Sequence, residues 1–390
     1  MKKIPKLRFK EFSEEWEEKK LEKIFEIFNG YAFSSKENVK KGIILLKIAN
    51  IGITKLNKND ISFLPINFLD LYSKFLLKKG DIVIALTRPL LNGKLKIAEI
   101  NEYFNNCLLN QRVGKILTKE NKKFIYNMLQ NKNYIKKIEN NISGSDPPNL
   151  STESIKDINI TIPILQEQEK IADFLSSVDV KLDLTEKKLE LLKNYKKGIM
   201  QKIFSQELKF KDENGNDYAK WEEKKLENIV NINKGKQLNK EFLLEYDKYP
   251  VINGGILPSG YTDTYNYFAN TITISEGGNS CGYVNFIKKD FWAGGHCYIL
   301  EKKENINYKY LYQILKNNES NIMELRVGSG LPNIQKKSIN EYRINVSMTL
   351  EEQQKIADFL FSIDDKIEKL SSKLEELKEF KKGLLQQMFV

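Results

Sequence analysis

Residues 165–204 read LQEQEKIADFLSSVDVKLDLTEKKLELLKNYKKGIMQKIF, and residues 350–389 read LEEQQKIADFLFSIDDKIEKLSSKLEELKEFKKGLLQQMF. The two stretches align without a gap at an offset of 185 residues, and 22 of their 40 positions are identical. A match of this length indicates an internal duplication. Apolar residues recur in steps of three and four over Ile171–Ile203 and Ile356–Met388. This period, with Glu and Lys around it, is typical of a coiled coil.

The two seams predict two long helices that pair with each other. Thr185 and Lys196 interrupt the first seam, and Lys381 interrupts the second. Forty helical residues span ~60 Å at ~1.5 Å per residue. Because both helices belong to one chain, their effective concentration favours pairing within the chain over dimerisation. We therefore expect an intramolecular antiparallel coiled coil.

Shorter motifs repeat upstream of each long stretch. Trp16–Glu22 recurs as Trp221–Glu227, and Gly144–Leu150 resembles Gly328–Ile334. Between these motifs lie two diverged blocks, 17–160 and 222–345, whose short β-branched runs predict strands. The predicted strands lie at Gly80–Ala85, Ile43–Leu46, Asn159–Ile162, Thr271–Ile274 and Arg343–Val346, and the predicted helices at Phe124–Leu129 and Tyr310–Leu315. The fold class is therefore α+β, with an internal two-fold repeat.

The repeat predicts four segments. Residues 1–161 form the first globular domain and residues 162–206 the first conserved long helix. Residues 207–347 form the second globular domain and residues 348–390 the second conserved long helix. Preserved helices beside diverged loops indicate two recognition surfaces of one kind with different specificity.

Composition narrows the class of protein. The 390 residues include 63 Lys and Arg against 52 Asp and Glu, a net charge of +11 that favours a polyanionic partner. Three scattered cysteines, Cys107, Cys281 and Cys297, form no disulfide framework, so we expect a reducing, cytoplasmic setting. No run of 18 apolar residues exists, so no membrane-spanning helix is expected.

Catalytic motifs are absent from the sequence or too weak to support a reaction. His296 is the single histidine, so no His-rich metal site can form, and no phosphate-binding GxxxxGK[ST] loop exists. Ser145–Asn149 resembles the tetrad of amino-methyltransferases but lacks its aromatic residue. Asp290, Glu301 and Lys303 have the spacing of a metal-dependent nuclease, a short pattern without a counterpart in the first block. We predict no catalytic residue and no metal ligand.

Basic and amide side chains cluster in the loops of both diverged blocks. Arg, Lys, Asn and Gln are the side chains that read base edges, and the cations also neutralise phosphates. The predicted DNA-binding residues are Thr87, Arg88, Asn92, Lys94, Asn110, Gln111 and Arg112 in the first block, and Lys234, Lys236, Gln237, Asn279, Ser280, His296 and Arg326 in the second.

The motifs resemble the specificity subunit of Type I restriction–modification systems. The resemblance is carried by Ile162–Gln168 with Ile171–Leu175, by Glu352–Leu360, and by the Leu-Arg-Phe and Trp-Glu opening motifs. The second copy departs at Val346–Met348, where the first has Ile162-Pro163-Ile164.

The resemblance implies a division of labour. Two target recognition domains each read one half of a split double-stranded DNA sequence, and the paired helices act as the spacer. Two modification subunits methylate adenine with S-adenosylmethionine, and restriction subunits add translocation and cleavage driven by ATP with Mg²⁺. The specificity subunit itself binds no cofactor and is not an enzyme.

Two other hypotheses stay open at this point. The chain could be a coiled-coil scaffold whose two domains bind proteins or glycans, with the charge serving only solubility. It could also be a DNA enzyme that acts alone.

Overall fold

The chain folds into two compact units in this computed structural model, which describes residues 4–142, 148–303, 305–328 and 330–390. The first unit contains residues 1–185 and 373–390, and the second contains residues 186–372. Residues 144–147 of the predicted turn motif, and Ser329 of its second copy, lie outside the described ranges. No helix within these ranges is long and apolar enough to cross a membrane.

The first unit is mixed α and β. Its strands are β1 (Glu17–Lys20), β2 (Phe25–Asn29), β3 (Ile43–Leu46), β4 (Ser62–Leu64), β5 (Ile82–Ala85), β6 (Leu90–Leu91), β7 (Lys94–Leu95), β8 (Ile97–Glu99), β9 (Leu108–Leu109), β10 (Val113–Thr118) and β11 (Asn159–Ile162). Its helices are α1 (Phe68–Leu71), α2 (Lys122–Met128), α3 (Lys132–Glu139), α4 (Thr152–Ile155) and the first part of α5 (Leu165–Phe204). Short 3-10 turns occupy Leu21–Lys23, Ser35–Glu37, Ile48–Asn50, Ser73–Phe75 and Glu102–Phe104.

The sheets of the first unit pair residues that are distant in sequence. The antiparallel order β2-β10-β5-β8 forms the central sheet, and β4-β3-β9 forms a smaller one in which β3 and β9 are parallel. β1 pairs with β11, so Glu17 of the repeated opening motif lies opposite Ile162. That pairing places the opening motif beside the strand that leads into the long helix.

The second unit repeats this scheme. Its strands are β12 (Glu222–Lys225), β13 (Val230–Lys234), β14 (Tyr249–Ile252), β15 (Gly260–Thr262), β16 (Thr271–Ser275), β17 (Val284–Ile287), β18 (Trp292–Ala293), β19 (Cys297–Lys302) and β20 (Arg343–Val346). Its helices are the last part of α5, α6 (Leu226–Ile229), α7 (Tyr308–Asn317), α8 (Glu319–Glu324), α9 (Lys336–Glu341) and the first part of α10 (Leu350–Gln387), with a 3-10 turn at Lys240–Phe242. The sheet orders are β13-β19-β16-β17, β15-β14-β18 and β12-β20.

Most predicted elements are confirmed. Three of the predicted strands, β3, β11 and β20, have the predicted bounds, and the predicted helices are α2 and α7. The strand predicted from Gly80 begins instead at Ile82, because Gly80 has a φ of 85° and forms a turn. The duplicated α+β fold is therefore the one that the sequence indicates.

Each unit contains an antiparallel pair of helical segments. In the first unit, Ile171 and Leu175 of α5 share one apolar core with Leu384 and Met388 of α10. In the second unit, Ile203 of α5 shares a core with residues 356–363 of α10. The predicted intramolecular antiparallel pairing is confirmed.

The opening motif of each repeat fixes the start of a long helix. The Arg8 guanidinium donates two hydrogen bonds of 2.8 Å to the carboxylate of Glu167, and Trp16 Nε1 donates a third at 3.2 Å. In the second unit, Trp221 Nε1 donates to Glu352 at 2.9 Å. Buried carboxylates need such partners, which accounts for the repeated Trp and Glu in terms of packing.

Candidate nucleic-acid interface

Three loops meet at one edge of the central sheet in the first unit. Because β5 and β10 are antiparallel, the end of β5 lies beside the start of β10, and the Leu86 amide donates to the Arg112 carbonyl at 3.0 Å. Asn29, at the end of β2, lies opposite Gly114. We call the surface formed by residues 29–31, 86–88 and 110–112 the first platform.

The second unit builds the same surface. The Glu276 amide donates to the His296 carbonyl at 3.0 Å, the same bond as Leu86 to Arg112 in the first unit. Lys234, at the end of β13, lies opposite Tyr298. We call residues 234–236, 276–278 and 294–296 the second platform. The backbone of the two platforms is shared, whereas their side chains differ.

A glycine holds the loops of each platform together. A Cβ at Gly30 would lie 2.3 Å from the Asn110 carbonyl oxygen, and a Cβ at Gly235 would lie 2.2 Å from the Gly294 carbonyl oxygen. Any larger residue would push the neighbouring loop away. Glycine is therefore required at the corresponding position of each platform, where two loop backbones pack against each other.

The structure brings together most of the residues predicted for the first unit. Thr87 and Arg88 follow β5, and Asn110, Gln111 and Arg112 precede β10, so all five lie on the first platform. The other two predicted residues lie in the hairpin β6–β7.

Asn92 and Lys94 are separate from the first platform. Asn92 and Gly93 both have positive φ, which makes the two-residue turn between β6 and β7 a type I′ turn. The pKa of Glu379 is lowered mainly by Lys382, with a small contribution from Lys94, so this hairpin lies near the C-terminal part of α10. The Asn-Gly pair is a signal in the sequence from which this hairpin could have been predicted.

The residues predicted for the second unit lie on or beside the second platform. Lys234, Lys236 and His296 belong to it, and a Cβ at Gly295 would lie 3.0 Å from the Gln237 side chain. Asn279 and Ser280 lie in the loop after Gly278, where the Ser280 hydroxyl donates to the Gly254 carbonyl at 2.6 Å.

Arg326 lies near the second platform because the segment that follows it is bonded to the platform backbone. Its neighbour Val327 pairs with Asn333, which in turn bridges to Gly277 of the second platform. The positive charge of Arg326 also acts on the Cys281 thiol, whose pKa is nevertheless raised, chiefly by burial. All seven residues predicted in the second unit thus lie in one region.

The two platforms differ in how their cations are paired. Arg88, Arg112, Lys236 and Arg326 are exposed, and none forms an ion pair with any carboxylate in the described ranges. Lys234 and His296 instead face the buried carboxylate of Glu276, at 2.6 Å and 3.4 Å. Exposed cations without partners are suited to bind phosphate.

Several residues of the platforms were not predicted as DNA contacts from the sequence. Asn29 and Tyr31 lie on the first platform, and Glu276 and Tyr298 lie at or beneath the second. Burial, followed by the charge of Glu276, raises the pKa of Tyr298 to about 12. The internal repeat was the signal in the sequence that could have identified them. Alignment of the two repeats places each of these residues at the same strand end as its counterpart in the other unit.

Tyr31 belongs to an aromatic cluster that the second platform lacks. Its ring lies 4.9 Å from Phe33, 4.8 Å from Tyr72 and 5.4 Å from Phe75, measured between ring centroids. A hydrogen bond with Tyr31, together with burial, raises the pKa of Tyr72. The corresponding residue of the second platform is Lys236. The first platform therefore presents an aromatic face where the second presents a cation.

The platforms offer hydrogen-bond donors and positive charge rather than ligands for a metal. No group of three or more His, Cys, Asp or Glu side chains in the described part of the chain is arranged to hold a metal ion. The three cysteines are buried, and burial raises the pKa of the Cys107 and Cys297 thiols to about 12.

Comparison with known proteins finds a family match for both repeats and relatives of the chain. The family model for the Type I restriction modification DNA specificity domain matches twice, at residues 13–194 and 218–379. The MjaVIII Type I restriction enzyme specificity subunit of Methanocaldococcus jannaschii is 33% identical over 52% of this chain and 49% of its own length. The chain thus spans about half the length of that curated relative.

Two further comparisons cover nearly the whole chain. The putative MjaX Type I restriction enzyme specificity subunit of the same organism is 24% identical over 96% of this chain and 93% of its own length. The crystal structure of a Type I restriction–modification S subunit from M. genitalium matches with a TM-score of 0.73 and 22% identity, covering 99% of each chain. At this identity the structural match supports the fold alone.

Proposed function

Because the chain belongs to the family of the Type I restriction modification DNA specificity domain, of which it carries two copies, we propose that it selects the DNA target of a Type I restriction–modification complex. Each recognition domain reads one half of a split double-stranded sequence. The single observation that carries this proposal is the pair of platforms, in which one backbone arrangement presents two different sets of side chains.

The chemistry of the platforms supports DNA as the ligand. Corresponding positions hold Asn29 and Lys234, Arg112 and His296. Amide and cationic side chains can bind base edges or phosphates, so the differences predict two unlike half-sites. The net charge of +11 adds the electrostatic attraction that duplex DNA requires.

The functional division that we propose keeps the repeat boundaries. Residues 1–161 and 207–347 act as recognition domains, and residues 162–206 and 348–390 act as spacer helices. This division assigns a function to each segment, whereas the compact units divide both long helices between them.

We also propose that two modification subunits bind the long helices, with restriction subunits completing the complex. Tyr195 of α5 and Phe380 of α10 are separated by 185 residues, the offset of the repeat, and each is 53% exposed. An exposed aromatic residue at corresponding positions offers two similar docking points. The relatives named above are specificity subunits of restriction enzymes, which fits this assignment.

On this proposal the chain is not an enzyme and works in the cytoplasm. The modification subunits supply adenine methylation with S-adenosylmethionine, and the restriction subunits use ATP and Mg²⁺. The residues of this chain contribute the choice of sequence.

A salt titration with the purified chain tests the DNA-binding part. Affinity for duplex DNA should fall linearly on a logarithmic scale as salt rises, with a slope of about −0.9 for each phosphate neutralised. Affinity that does not depend on salt would favour a protein-binding scaffold instead.

Methylome mapping tests the proposed choice of a two-part target for adenine methylation. Cells that carry the chain with its modification subunits should show adenine methylation at one two-part sequence. Methyl transfer by the chain alone would contradict the non-catalytic assignment.

A further inference from the structure

Glu276 is a buried acid at the base of the second platform. It follows β16 directly and is 6% exposed. Its Oε1 accepts a hydrogen bond from Lys234 Nζ at 2.6 Å and lies 3.1 Å from the Tyr298 hydroxyl. Its Oε2 lies 3.4 Å from His296 Nδ1. Both carboxylate oxygens therefore face polar groups of the platform.

The backbone of Glu276 is fixed from three directions. Its amide donates to the His296 carbonyl at 3.0 Å, and its carbonyl accepts from the Ile334 amide at 2.8 Å and from the Cys281 thiol at 3.0 Å. A buried carboxylate is stable only with a counter-charge and hydrogen bonds. Lys234 supplies that charge, so the acid and the lysine hold each other in place.

The two side chains that Glu276 faces remain open to a ligand. The side chain of Lys234 is 52% exposed and that of His296 is 67% exposed. An ammonium has three donors, so one bond to Glu276 leaves two for another partner. With Nδ1 of His296 turned to the acid, Nε2 is the ring nitrogen that is free to contact a base.

The first platform has no such acid. Leu86 occupies the position of Glu276, Asn29 that of Lys234, Arg112 that of His296, and Gly114 that of Tyr298. The backbone bonds around the position are the same, with Leu150 donating to Leu86 as Ile334 donates to Glu276. The acid therefore belongs to the second recognition domain alone and is not required by the shared fold.

We propose that Glu276 is a positioning residue for the second half-site: it holds Lys234 and His296 in fixed directions, so that they read bases instead of gripping phosphate. This inference rests on the proposed function, since it requires the platforms to bind DNA. It adds a residue that touches no DNA itself and acts on one half of the target only.

Removing the negative charge of Glu276 should raise the affinity for DNA of any sequence and lower the discrimination between bases. Lys234, released from Glu276, becomes free to pair with a phosphate, which raises affinity for any sequence and makes the logarithmic salt slope steeper by about one. Base discrimination in the second half-site should fall by about tenfold or more, the scale of one lost base contact. A merely structural role for Glu276 would not strengthen non-specific binding.

The experiment selects bound duplexes from a random-sequence library, using the full chain and its Glu276→Gln and Glu276→Leu variants. The leucine variant introduces the residue that the first platform carries at this position. Glu223→Gln is the matched control, because it removes the same charge from an exposed residue of β12 that lies outside the second platform. We expect both Glu276 variants to lose preference at the same one or two bases of the second half-site, while the first half-site and the control stay unchanged.

Other outcomes separate this inference from the proposed function. A wild-type chain that selects no two-part sequence overturns both. A wild-type chain that selects one, with Glu276 variants that keep the full preference or lose it in both halves, overturns the inference alone. If the Glu276 variants do not fold, Lys234→Met and His296→Gln replace them, because both change exposed side chains. Both should change the base preference at the second half-site and leave the first half-site unchanged. Unchanged selection by both would overturn the inference.

Discussion

Glu167 shows how much of the fold depends on single buried charges. Its carboxylate is 1% exposed and has the Arg8 guanidinium and the Trp16 indole as partners. A buried charge that loses its partner is strongly destabilising, because it is no longer compensated and cannot regain water.

We expect Arg8→Ala to reduce the free energy of unfolding by about 3 kcal/mol, since Glu167 would keep only the Trp16 bond. Urea unfolding of the full chain measures this. Lys209→Ala is the matched control, because Lys209 occupies the corresponding position of the second repeat and has no ion pair among the described residues. Equal losses of stability in the two variants would contradict the role of Arg8 as the counter-charge of Glu167.

Asp81 makes stability depend on pH. Burial alone would raise the pKa of its carboxyl, but Lys115 at 2.6 Å, the Lys78 amide at 2.9 Å and Lys122 at 3.3 Å outweigh burial and lower that pKa below 3.8. A carboxyl with a lowered pKa stabilises the fold fully above its unfolded-state pKa. That contribution is lost as the pH falls from 3.8 through the lower folded-state value.

Asp81→Asn should therefore be less stable than the wild-type chain at neutral pH, and the difference should shrink below pH 3.8. Urea midpoints across this range give the comparison. Asp60→Asn, which removes the charge of an exposed pair with Lys47, should change stability by less than about 1 kcal/mol. A constant deficit of the Asp81 variant at every pH would argue against the ion pairs.

The four exposed cations of the platform regions should contribute unequally to DNA binding. In Arg88→Ala, Arg112→Ala, Lys236→Ala or Arg326→Ala, loss of a phosphate contact would weaken all sequences alike and lower the salt slope by about one. Loss of a base contact would remove ~1–3 kcal/mol of discrimination at one position.

Gel shifts on matched and mismatched duplexes distinguish the two outcomes. Lys20→Ala serves as the control, because Lys20 lies on β1 and pairs with Asp157 at 2.5 Å. Unchanged binding in all four variants would exclude these cations as DNA contacts.

The two lysines that interrupt the helical seams have a structural role. In the second unit, Lys196 Nζ lies 2.6 Å from Asp364, which also accepts from Gln313 Nε2 at 2.7 Å. In the first unit, Lys381 Nζ lies 2.6 Å from Asp179 and 3.3 Å from Gln130 Oε1. A polar pair at one place in an apolar seam fixes the register of the paired helices.

We predict that Asp364→Ala costs more stability than Asp179→Ala. The first leaves both the Lys196 ammonium and the fully buried Gln313 amide without this acceptor, at a cost of about 3 kcal/mol. The second leaves Lys381 its bond to Gln130, so we expect about 1 kcal/mol. Thermal unfolding of the full chain, monitored in each unit by hydrogen exchange, measures the stability change of both variants. The reverse order would contradict this account of the seam.

The two units contain corresponding elements in a different order along the chain. The Leu208 amide donates to the Lys202 carbonyl at 2.9 Å, where the chain leaves α5. The corresponding bond in the first unit joins the Leu7 amide to the Gln387 carbonyl, also at 2.9 Å, and is made between segments from opposite ends of the sequence. The first unit is therefore a circular permutant of the second.

A permuted chain should fold and keep its DNA preference. Residue 390 would be fused to residue 1, and the chain would be opened between residues 205 and 206. Five residues, 203–207, connect the bonded pair in the second unit, whereas 388–390 and 1–6 supply nine, so the fusion needs no linker. The readouts are circular dichroism and library selection. A soluble permutant with altered half-sites would show that the junction shapes the platforms.

The duplication, the α+β class and the paired long helices can all be predicted from the amino-acid sequence. These features are local or periodic: the EQxKIADFL repeat and a seam of period three and four can be recognised without knowing any distant contact. The strands β3, β11 and β20 were readable for the same reason, because each is a short β-branched run.

The membership of the platforms and the reason for the lysines in the seams depend on contacts between distant parts of the chain. Asn29, Leu86 and Arg112 are far apart in the sequence and meet because three antiparallel strands end at one edge. Lys196 finds Asp364 for the same kind of reason, across 168 residues. Local patterns encode elements, whereas a site depends on strand pairing and helix packing that join distant parts of the chain, and a single sequence does not specify those pairings locally.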